Sequence, residues 1–328
     1  MKYLVSVVIP TYNRRKELCE CIDSVLNQAY KLIEIIIVDD CSQDDTVEFI
    51  ASHYKDVIII ESNHHYGPAY LRNRGINKAK GTFILFLDSD VILDDYNVIT
   101  RMVKKLSQDK QIGQIGGEIQ VHRGIKDVAY GKKIDFFGNV HHIVSRKSDP
   151  DYSRRKRCDY LATCNCMVRK EVAELVGGFD PYYVIMGEDV DFGYVIQKKG
   201  YINWVDYDVS IQHWHVSSGR YVDEAYKYAS TRVRFNMKHF PIMKLFIVFL
   251  RDIVYALIFY IILPPKIIII AIKKKHFRLP HFLGGYYFFK AYIVNITSFF
   301  KIRKTKNLNF LSKEKMDEYE AYASRNNV

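Results

Sequence analysis

Two carboxylates separated by one serine, Asp88-Ser89-Asp90, directly follow an unbroken apolar run at residues 82–87. Such a run, rich in β-forming residues, predicts a strand that is buried on both faces. Ligands of open α/β sheets bind just beyond the carboxyl ends of the strands. Carboxylates at that place can hold a divalent cation, and the cation can in turn hold a diphosphate. The alternative is a solvated turn, in which Asp and Ser are common for local reasons.

A second acidic cluster, Gly187-Glu188-Asp189-Val190-Asp191, lies at the predicted start of a later helix. Acids at this position stabilise the helix dipole, which is the structural explanation. The chemical explanation is a general base that takes the proton of an attacking hydroxyl near the cation. Asp189 is the candidate base, and Glu188 and Asp191 are further candidates for the site.

The segment Gln212-His213-Trp214-His215 offers two imidazoles. Being two positions apart in an extended segment, they point to the same side. Histidine is a common ligand of borderline metals such as Mn²⁺, although a lone histidine is often structural. His213 is the preferred metal or phosphate ligand, and His215 is the alternative.

The elements that must position these groups alternate between strand and helix. Four apolar runs predict strands, at residues 5–10, 34–38, 57–60 and 82–87. Amphipathic helical patterns lie between them, and Ser42 with Asp45 predicts a capping box at the start of the second helix. This alternation predicts an α/β fold with a mostly parallel, doubly wound sheet flanked by helices.

Polar turns follow the first, second and fourth of these strands, so they converge on one edge of the predicted sheet. Such an edge could seat a nucleotide, with a hydroxyl and backbone N–H groups for phosphate and carboxylates for the base and ribose. Arg72, early in the third helix, carries a guanidinium fork suited to a diphosphate.

Basic residues concentrate in the last third of the chain. Residues 244–306 contain twelve Lys or Arg and one acid, Asp252, which gives +11, equal to the net charge of the whole chain. Because these cations alternate with long apolar runs, they favour an anionic membrane surface and not a nucleic acid. Pro264 and Pro265 interrupt the longest run, so interfacial or re-entrant helices are expected, with one or two membrane spans or soluble packing as the alternatives.

In this order, the motifs resemble the inverting glycosyltransferases of family 2, which have the GT-A fold. The matching segments are Val7-Val8-Ile9-Pro10-Thr11-Tyr12-Asn13-Arg14, Ile37-Val38-Asp39-Asp40-Cys41-Ser42, Arg72-Asn73-Arg74-Gly75, Phe86-Leu87-Asp88-Ser89-Asp90, Val176-Gly177-Gly178-Phe179-Asp180 and Gly187-Glu188-Asp189-Val190-Asp191. The resemblance covers about residues 3–220.

The resemblance implies a nucleotide-sugar donor, a Mn²⁺ or Mg²⁺ ion and a general base. The implied base is Asp189, and the metal is held by the D-x-D pair, chiefly Asp90, with a histidine contact at His213 or His215. The residues expected to bind the donor are Thr11, Asn13, Asp39, Asp40, Arg72 and Asp88.

The expected reaction is metal-dependent transfer of a single sugar from a UDP-, dTDP- or GDP-sugar to an acceptor hydroxyl, with inversion. The sequence lacks the Gln-x-x-Arg-Trp motif of processive family members. The expected acceptor is a lipid-linked glycan or a surface-polysaccharide precursor. One alternative is a nucleotidyltransferase, which would need a glycine-rich phosphate loop where residues 10–14 contain no glycine. Another is an inactive, membrane-tethered sugar-binding scaffold.

Three regions are expected along the chain. Residues 1–240 form a GT-A catalytic domain, with a donor half at 1–110 and an acceptor and base half at 111–240. Residues 241–310 associate with the membrane, and 311–328 form a polar tail. The first apolar run is better explained as a strand than as a signal peptide, and the six cysteines form no disulfide framework. The expected location is therefore the cytoplasmic face of the cell membrane.

Overall fold

The computed structural model describes residues 3–121, 131–143, 157–183, 186–214, 221–257 and 290–326. The strands in these ranges are β1 (Val5–Thr11), β2 (Ile33–Asp39), β3 (Ile58–Glu61), β4 (Phe83–Leu87), β5 (Val91–Ile92), β6 (Ile112–Val121), β7 (Gly131–Ile134), β8 (Val140–Ile143), β9 (Arg157–Cys158), β10 (Asn165–Arg169) and β11 (Ile202–His213). The helices are α1 (Arg15–Leu26), α2 (Thr46–His53), α3 (Pro68–Lys78), α4 (Val98–Gln108), α5 (Lys170–Leu175), α6 (Glu188–Lys198), α7 (Tyr221–His239), α8 (Ile242–Leu257), α9 (Phe299–Lys304) and α10 (Lys313–Asn326). Residues 290–296 are also helical.

One sheet organises the chain, with the strand order β3-β2-β1-β4-β10-β6-β11-β5. The strands from β3 to β4 are mutually parallel, as the alternating pattern predicts. Strand β10 runs antiparallel to both of its neighbours, β4 and β6, whereas β11 returns parallel to β6. The mostly parallel α/β fold is therefore confirmed, and the antiparallel β10 is the feature that periodicity did not predict.

Strand β4 is buried on both faces, as its unbroken apolar run predicts. Phe83, Leu85 and Leu87 pack into the core on the side of α1 and α4. The alternate residues Ile84 and Phe86 pack into a second core with side chains of α3 and α6. Because successive side chains of a strand point to opposite faces, this one apolar run contributes to both cores. The strand ends at Leu87, the last residue of the run. That end carries Asp88-Ser89-Asp90.

The C-terminal part of the chain continues the fold in two ways. Helix α8 leaves an apolar face exposed, whereas α10 packs back onto the sheet domain and fully buries Tyr319 and Ala323. The segment expected to be a polar tail is thus, as far as residue 326, a packed helix. None of the helices in the described part of the chain is long and apolar enough to cross a bilayer. The prolines at 264 and 265 lie outside the described residues, and the expected domain boundaries stay predictions.

Candidate active site

Asp88, Asp90 and His213 form a group of potential metal ligands at the carboxyl end of β4. One ligand atom from each lies within 4.8 Å of the others. The strand register explains why His213 lies beside the two aspartates. Strand β5 pairs antiparallel with β11, so that His213 lies opposite Val91, the residue after Asp90. The backbone N–H of Trp214 also donates to the Asp90 carbonyl at 3.0 Å. Two carboxylates and one imidazole form a donor set that fits Mn²⁺, and its oxygen ligands also suit Mg²⁺.

Asp90 is the most buried member of this group, with 6% of its surface exposed. Its carboxylate contacts Arg14 and accepts a hydrogen bond from His213 Nε2 at 3.2 Å. Burial alone would raise the pKa of Asp90, but the His213 hydrogen bond and the charges of His213 and Arg14 hold it well below its usual range. Conversely, Asp90 raises the pKa of His213 despite the burial of the imidazole. The Asp90 carboxylate is therefore ionised at neutral pH.

Arg72 links the two acidic clusters that the sequence singled out. It is 2% exposed. One terminal nitrogen donates to Asp88 Oδ1 at 2.8 Å and the other to Glu188 Oε1 at 2.9 Å. Burial raises the pKa of Glu188 and the Asp189 charge adds to the shift, although the guanidinium opposes both. Arg72 lines the cleft, and in this structure both of its terminal nitrogens contact carboxylates.

Asp189 shares one cleft with Asp88, Asp90 and His213. The cleft has a volume of about 490 Å³. Asp189 lies in the first turn of α6, which starts after Gly187 in a left-handed conformation with φ of 97°. A Cβ at Gly187 would lie 2.1 Å from Thr231 Cγ2, so this turn requires glycine both for its backbone and for its packing. The start of α6 thus brings Asp189 to the cleft.

The first two polar turns contribute unequally to the cleft. Thr11 and Asp40 line it, and the buried Thr11 Oγ1 makes no hydrogen bond within the described residues. Asn13 and Asp39 are not part of the lining. Asn13 instead accepts a hydrogen bond from the Gln43 N–H at 2.7 Å, and Asp39 accepts one from the Ser42 N–H at 2.8 Å. In this structure they shape the loops behind the cleft wall.

Three further expectations have separate outcomes. Asp191 lies away from the cleft lining, because its carboxylate binds Lys238 and His239 in a buried cluster. The expected capping box is wrong: α2 begins at Thr46 after Asp45, and the Ser42 hydroxyl bonds to Asp39. His215 lies outside the described residues.

Several groups that line the cleft are not among the residues predicted from the sequence. Arg14 was quoted only as part of a motif, yet it contacts Asp90. His65 lies in the loop before α3, with Nδ1 2.9 Å from Asp40 Oδ2. Residues 162–164 line the cleft because they precede β10, whose antiparallel direction brings its amino end beside the carboxyl end of β4. The histidine pair before Pro68 was a visible signal, but the direction of β10 was not.

Two relatives that carry glycosyltransferase names match about a third of the chain. It is 37% identical over 118 residues to the glycosyltransferase GlyG of Streptococcus pneumoniae serotype 4, covering 34% of this chain and 39% of that protein. It is 43% identical over 105 residues to the UDP-Glc:alpha-D-GlcNAc-diphosphoundecaprenol beta-1,3-glucosyltransferase WfaP of Escherichia coli, covering 31% of this chain and 40% of that protein. The matched part thus spans about two fifths of the length of these relatives.

A solved structure shares the fold over most of the chain. The mannosyltransferase PcManGT of Pyrobaculum calidifontis, in complex with GDP-Man and Mn²⁺, superposes with a TM-score of 0.60 at 17% identity, covering 90% of this chain and 88% of that one. At this identity the match establishes the GT-A fold. At the level of sequence, the model of the family described as "Glycosyl transferase family 2" matches residues 6–176, just over half of the chain. The chain therefore belongs to glycosyl transferase family 2.

Proposed function

We propose that this protein transfers a single sugar from a nucleotide-sugar to an acceptor hydroxyl, with a divalent metal ion and with inversion at the sugar. One observation carries the proposal: Asp88, Asp90, His213 and Asp189 face the same cleft of about 490 Å³. A volume of this size suits a small-molecule ligand. Transfer needs a group that holds the departing diphosphate and a group that accepts a proton, and this cleft offers a candidate for each.

The leaving-group side of the cleft is formed by Asp88, Asp90 and His213. A Mn²⁺ or Mg²⁺ ion held by these residues would neutralise the charge that grows on the departing nucleoside diphosphate. The shared carboxylate contacts of Asp90 with Arg14 and His213 keep that ligand ionised. PcManGT, which shares the fold, was solved with GDP-Man and Mn²⁺. These observations support metal dependence without choosing between the two ions.

The acceptor side of the cleft is formed by the first turn of α6. Asp189 is half-buried in the first turn of this helix and lines the cleft. It would accept the proton of the acceptor hydroxyl as this oxygen attacks the anomeric carbon. Attack from the face opposite the leaving diphosphate, in a single displacement, gives inversion.

The nucleotide would lie along the first two strand ends. Thr11 Oγ1 is buried and makes no hydrogen bond in the described part of the chain. Its hydroxyl could therefore form a hydrogen bond with the nucleotide-sugar. Asp40 offers a carboxylate in the same lining, and Arg72 offers a positive charge that would favour the diphosphate. The donor is a UDP-, dTDP- or GDP-sugar. WfaP, by its name, uses UDP-Glc, which supports a UDP-sugar as the first to test.

The decisive experiment compares Asp189→Asn with the wild type. We expect turnover with the matching nucleotide-sugar to fall by at least about a hundredfold, in line with the loss of a general base. Binding of the nucleoside diphosphate with Mn²⁺ should stay close to the wild-type value. Asp56→Asn, at an exposed position outside the cleft, is the matched control. Unchanged turnover in Asp189→Asn would refute the assignment, and a wild type that binds nucleotide without turnover would favour the inactive scaffold.

The proposed acceptor is a lipid-linked glycan at the cytoplasmic face of the membrane. The supporting relative, WfaP, acts by its name on a diphosphoundecaprenol-linked sugar. In this chain, α8 exposes an apolar face of which Phe246 is 56% exposed, Ile247 47% and Leu250 45%. Helix α9 adds Lys301, Arg303 and Lys304 in its last turn. Exposed apolar side chains and a basic helix in the same C-terminal region fit an anionic bilayer surface.

Flotation with liposomes tests this part of the proposal. The protein should float with vesicles containing anionic lipid, and more weakly with neutral vesicles or at high salt. Replacing Phe246, Ile247 and Leu250 by Ser should abolish flotation. Ser at Leu26 and Leu175, exposed at 52% and 51% on other helices, controls for a general loss of surface apolarity. Flotation that survives the triple substitution would contradict the role of the α8 face.

A further inference from the structure

The C-terminal helix α10 is built into the domain that carries the cleft. Tyr319 is 0% exposed. Its ring lies 5.6 Å from that of Tyr70 in α3 and 5.4 Å from that of Tyr182, measured between centroids. Packing of this kind stabilises the contact beyond simple burial of apolar area. Because the family match ends at residue 176, this helix lies outside the part that identifies the family.

Two tyrosine hydroxyls connect α10 to residues near the cleft. The Tyr319 hydroxyl donates to the Tyr66 carbonyl at 2.9 Å, in a fully buried contact. The Tyr70 hydroxyl donates to Glu320, the next residue of α10. Since a buried carbonyl without a partner is costly, the Tyr319 hydroxyl fixes the backbone of residue 66 more strongly than ring packing alone.

The other side of the same loop faces Asp40. The N–H groups of Tyr66 and Gly67 donate to the Asp40 carboxylate at 2.7 and 3.0 Å. His65, between them and the solvent, lies 2.9 Å from Asp40 Oδ2, and its ring centroid is 4.7 Å from that of Tyr12. Asp40, His65 and Tyr12 all line the cleft. The backbone at Tyr66 is thus held by Tyr319 on one side and by Asp40 on the other.

We propose that α10 positions the donor wall of the cleft, with Tyr319 as the positioning residue that holds the 65–67 loop against Asp40. This inference rests on the proposed function, in which Asp40 and its neighbours contact the nucleotide. Tyr319 touches no substrate. It acts through the Tyr66 carbonyl on the orientation of Asp40 and His65.

The hydroxyl of Tyr319 can be removed without detaching the helix. The segment before α10 is held separately: the Phe310 N–H donates to the Gly177 carbonyl at 2.8 Å, and Asn77 Nδ2 donates to the Leu311 carbonyl at 2.9 Å. Tyr319→Phe keeps the buried ring and deletes only the contact with the loop. The variant therefore separates loop positioning from anchoring of the helix.

The test is calorimetric titration of UDP, dTDP and GDP, each with Mn²⁺, followed by steady-state kinetics with the matching nucleotide-sugar. We expect Tyr319→Phe to weaken binding of the best nucleoside diphosphate by about three- to tenfold, the range of one net hydrogen bond. The donor KM should rise by the same factor, whereas kcat at saturating donor and the acceptor KM should stay within twofold. Tyr96→Phe, at a 60% exposed tyrosine outside the cleft lining, is the control.

A second pair of variants tests the other contact of α10, between Glu320 and the Tyr70 hydroxyl. Glu320→Gln keeps an oxygen that can accept from the Tyr70 hydroxyl and should bind nucleotide like the wild type, whereas Glu320→Ala should weaken binding. Wild-type affinity in both Tyr319→Phe and Glu320→Ala would overturn the inference. Equal losses in kcat and both KM values, with a lowered Tm, would also overturn it, because they indicate a purely structural role. A wild type that binds none of the three nucleotides instead removes the proposed function, and the inference with it.

Discussion

Removal of the Lys238 ammonium should destabilise the protein more than any exposed substitution. Lys238 is 1% exposed, and its Nζ lies 2.8 Å from both Asp180 Oδ2 and Asp191 Oδ2. Arg234 and His239 complete this buried ion cluster, at 3.2 Å from Asp180 and 2.6 Å from Asp191. The carboxylates of Asp180 and Asp191 face the permanent cations Lys238 and Arg234. Lys238→Met therefore leaves one buried negative charge without a balancing cation. Breaking a buried pair in this way costs about 3–5 kcal/mol of unfolding free energy.

The stability that this ion cluster contributes should depend on pH in a defined direction. Although burial would raise their pKa values, the Lys238 charge and the other cations of the cluster hold the pKa values of Asp180 and Asp191 below their usual range. A depressed carboxylate pKa contributes stability that is present above the unfolded-state pKa, about 3.9 for Asp, and is lost as the pH falls below it. The difference in unfolding free energy between the wild type and Lys238→Met should therefore be largest at pH 7 and should decrease below about pH 4.

The assay is thermal and urea unfolding of Lys238→Met, Asp191→Asn and the double variant. We expect Lys238→Met to lower the Tm by roughly 5–15 °C. The double variant should lose less stability than the sum of the two single variants, because Asp191→Asn removes the excess charge that Lys238→Met creates. Lys16→Met, at an exposed position of α1, is the control. A Tm within about 2 °C of the wild type, or strict additivity in the double variant, would contradict this account.

Three further predictions concern other parts of the molecule. Asp90→Asn should abolish the Mn²⁺-dependent part of nucleoside diphosphate binding while metal-free binding stays unchanged, as measured by titration with and without Mn²⁺. Asp135→Asn should increase hydrogen exchange in the β7–β8 turn, and in the wild type the same turn should loosen as the pH falls from about 4 towards 2. The reason is that hydrogen bonds from His141 and Asn139, working against partial burial, lower the pKa of Asp135 to about 2. Gly178→Ala should destabilise the protein by more than about 1 kcal/mol in urea unfolding, because φ is 75° and the new Cβ would lie 2.7 Å from Leu311 Cδ2.

The fold was largely predictable because its first half follows local rules. Each strand from β1 to β4 is largely apolar, and helices alternate with these strands along the chain, so the alternation predicts the parallel sheet. The direction of β10 depends on contacts with β4 and β6, which are distant in sequence, and no local pattern encodes them. For the same reason the contribution of residues 162–164 to the cleft could not be predicted.

Within the site, residue type was easier to predict than orientation. The Asp88-Ser89-Asp90 turn and Asp189 lie in the expected cleft because each ends or begins a regular element. Asp191 is also an aspartate in the first turn of α6, two residues after Asp189. Because the helix turns between these two positions, the Asp191 side chain points to Lys238 and not to the cleft. The capping box failed because Ser42 has a nearer partner in Asp39, and a sequence pattern does not rank competing hydrogen-bond partners.

The pairing of β5 with β11 makes the metal-ligand group dependent on the completed chain topology. Asp88 and Asp90 are separated from His213 by more than a hundred residues of sequence, and only the last strand of the sheet brings them together. A fragment ending at residue 176 would keep the segment by which the family is identified, but it would lack the imidazole ligand and all of α6. Affinity for the proposed cation should therefore report whether the sheet is fully assembled, since β11 must pair with β5 before these three side chains can share an ion.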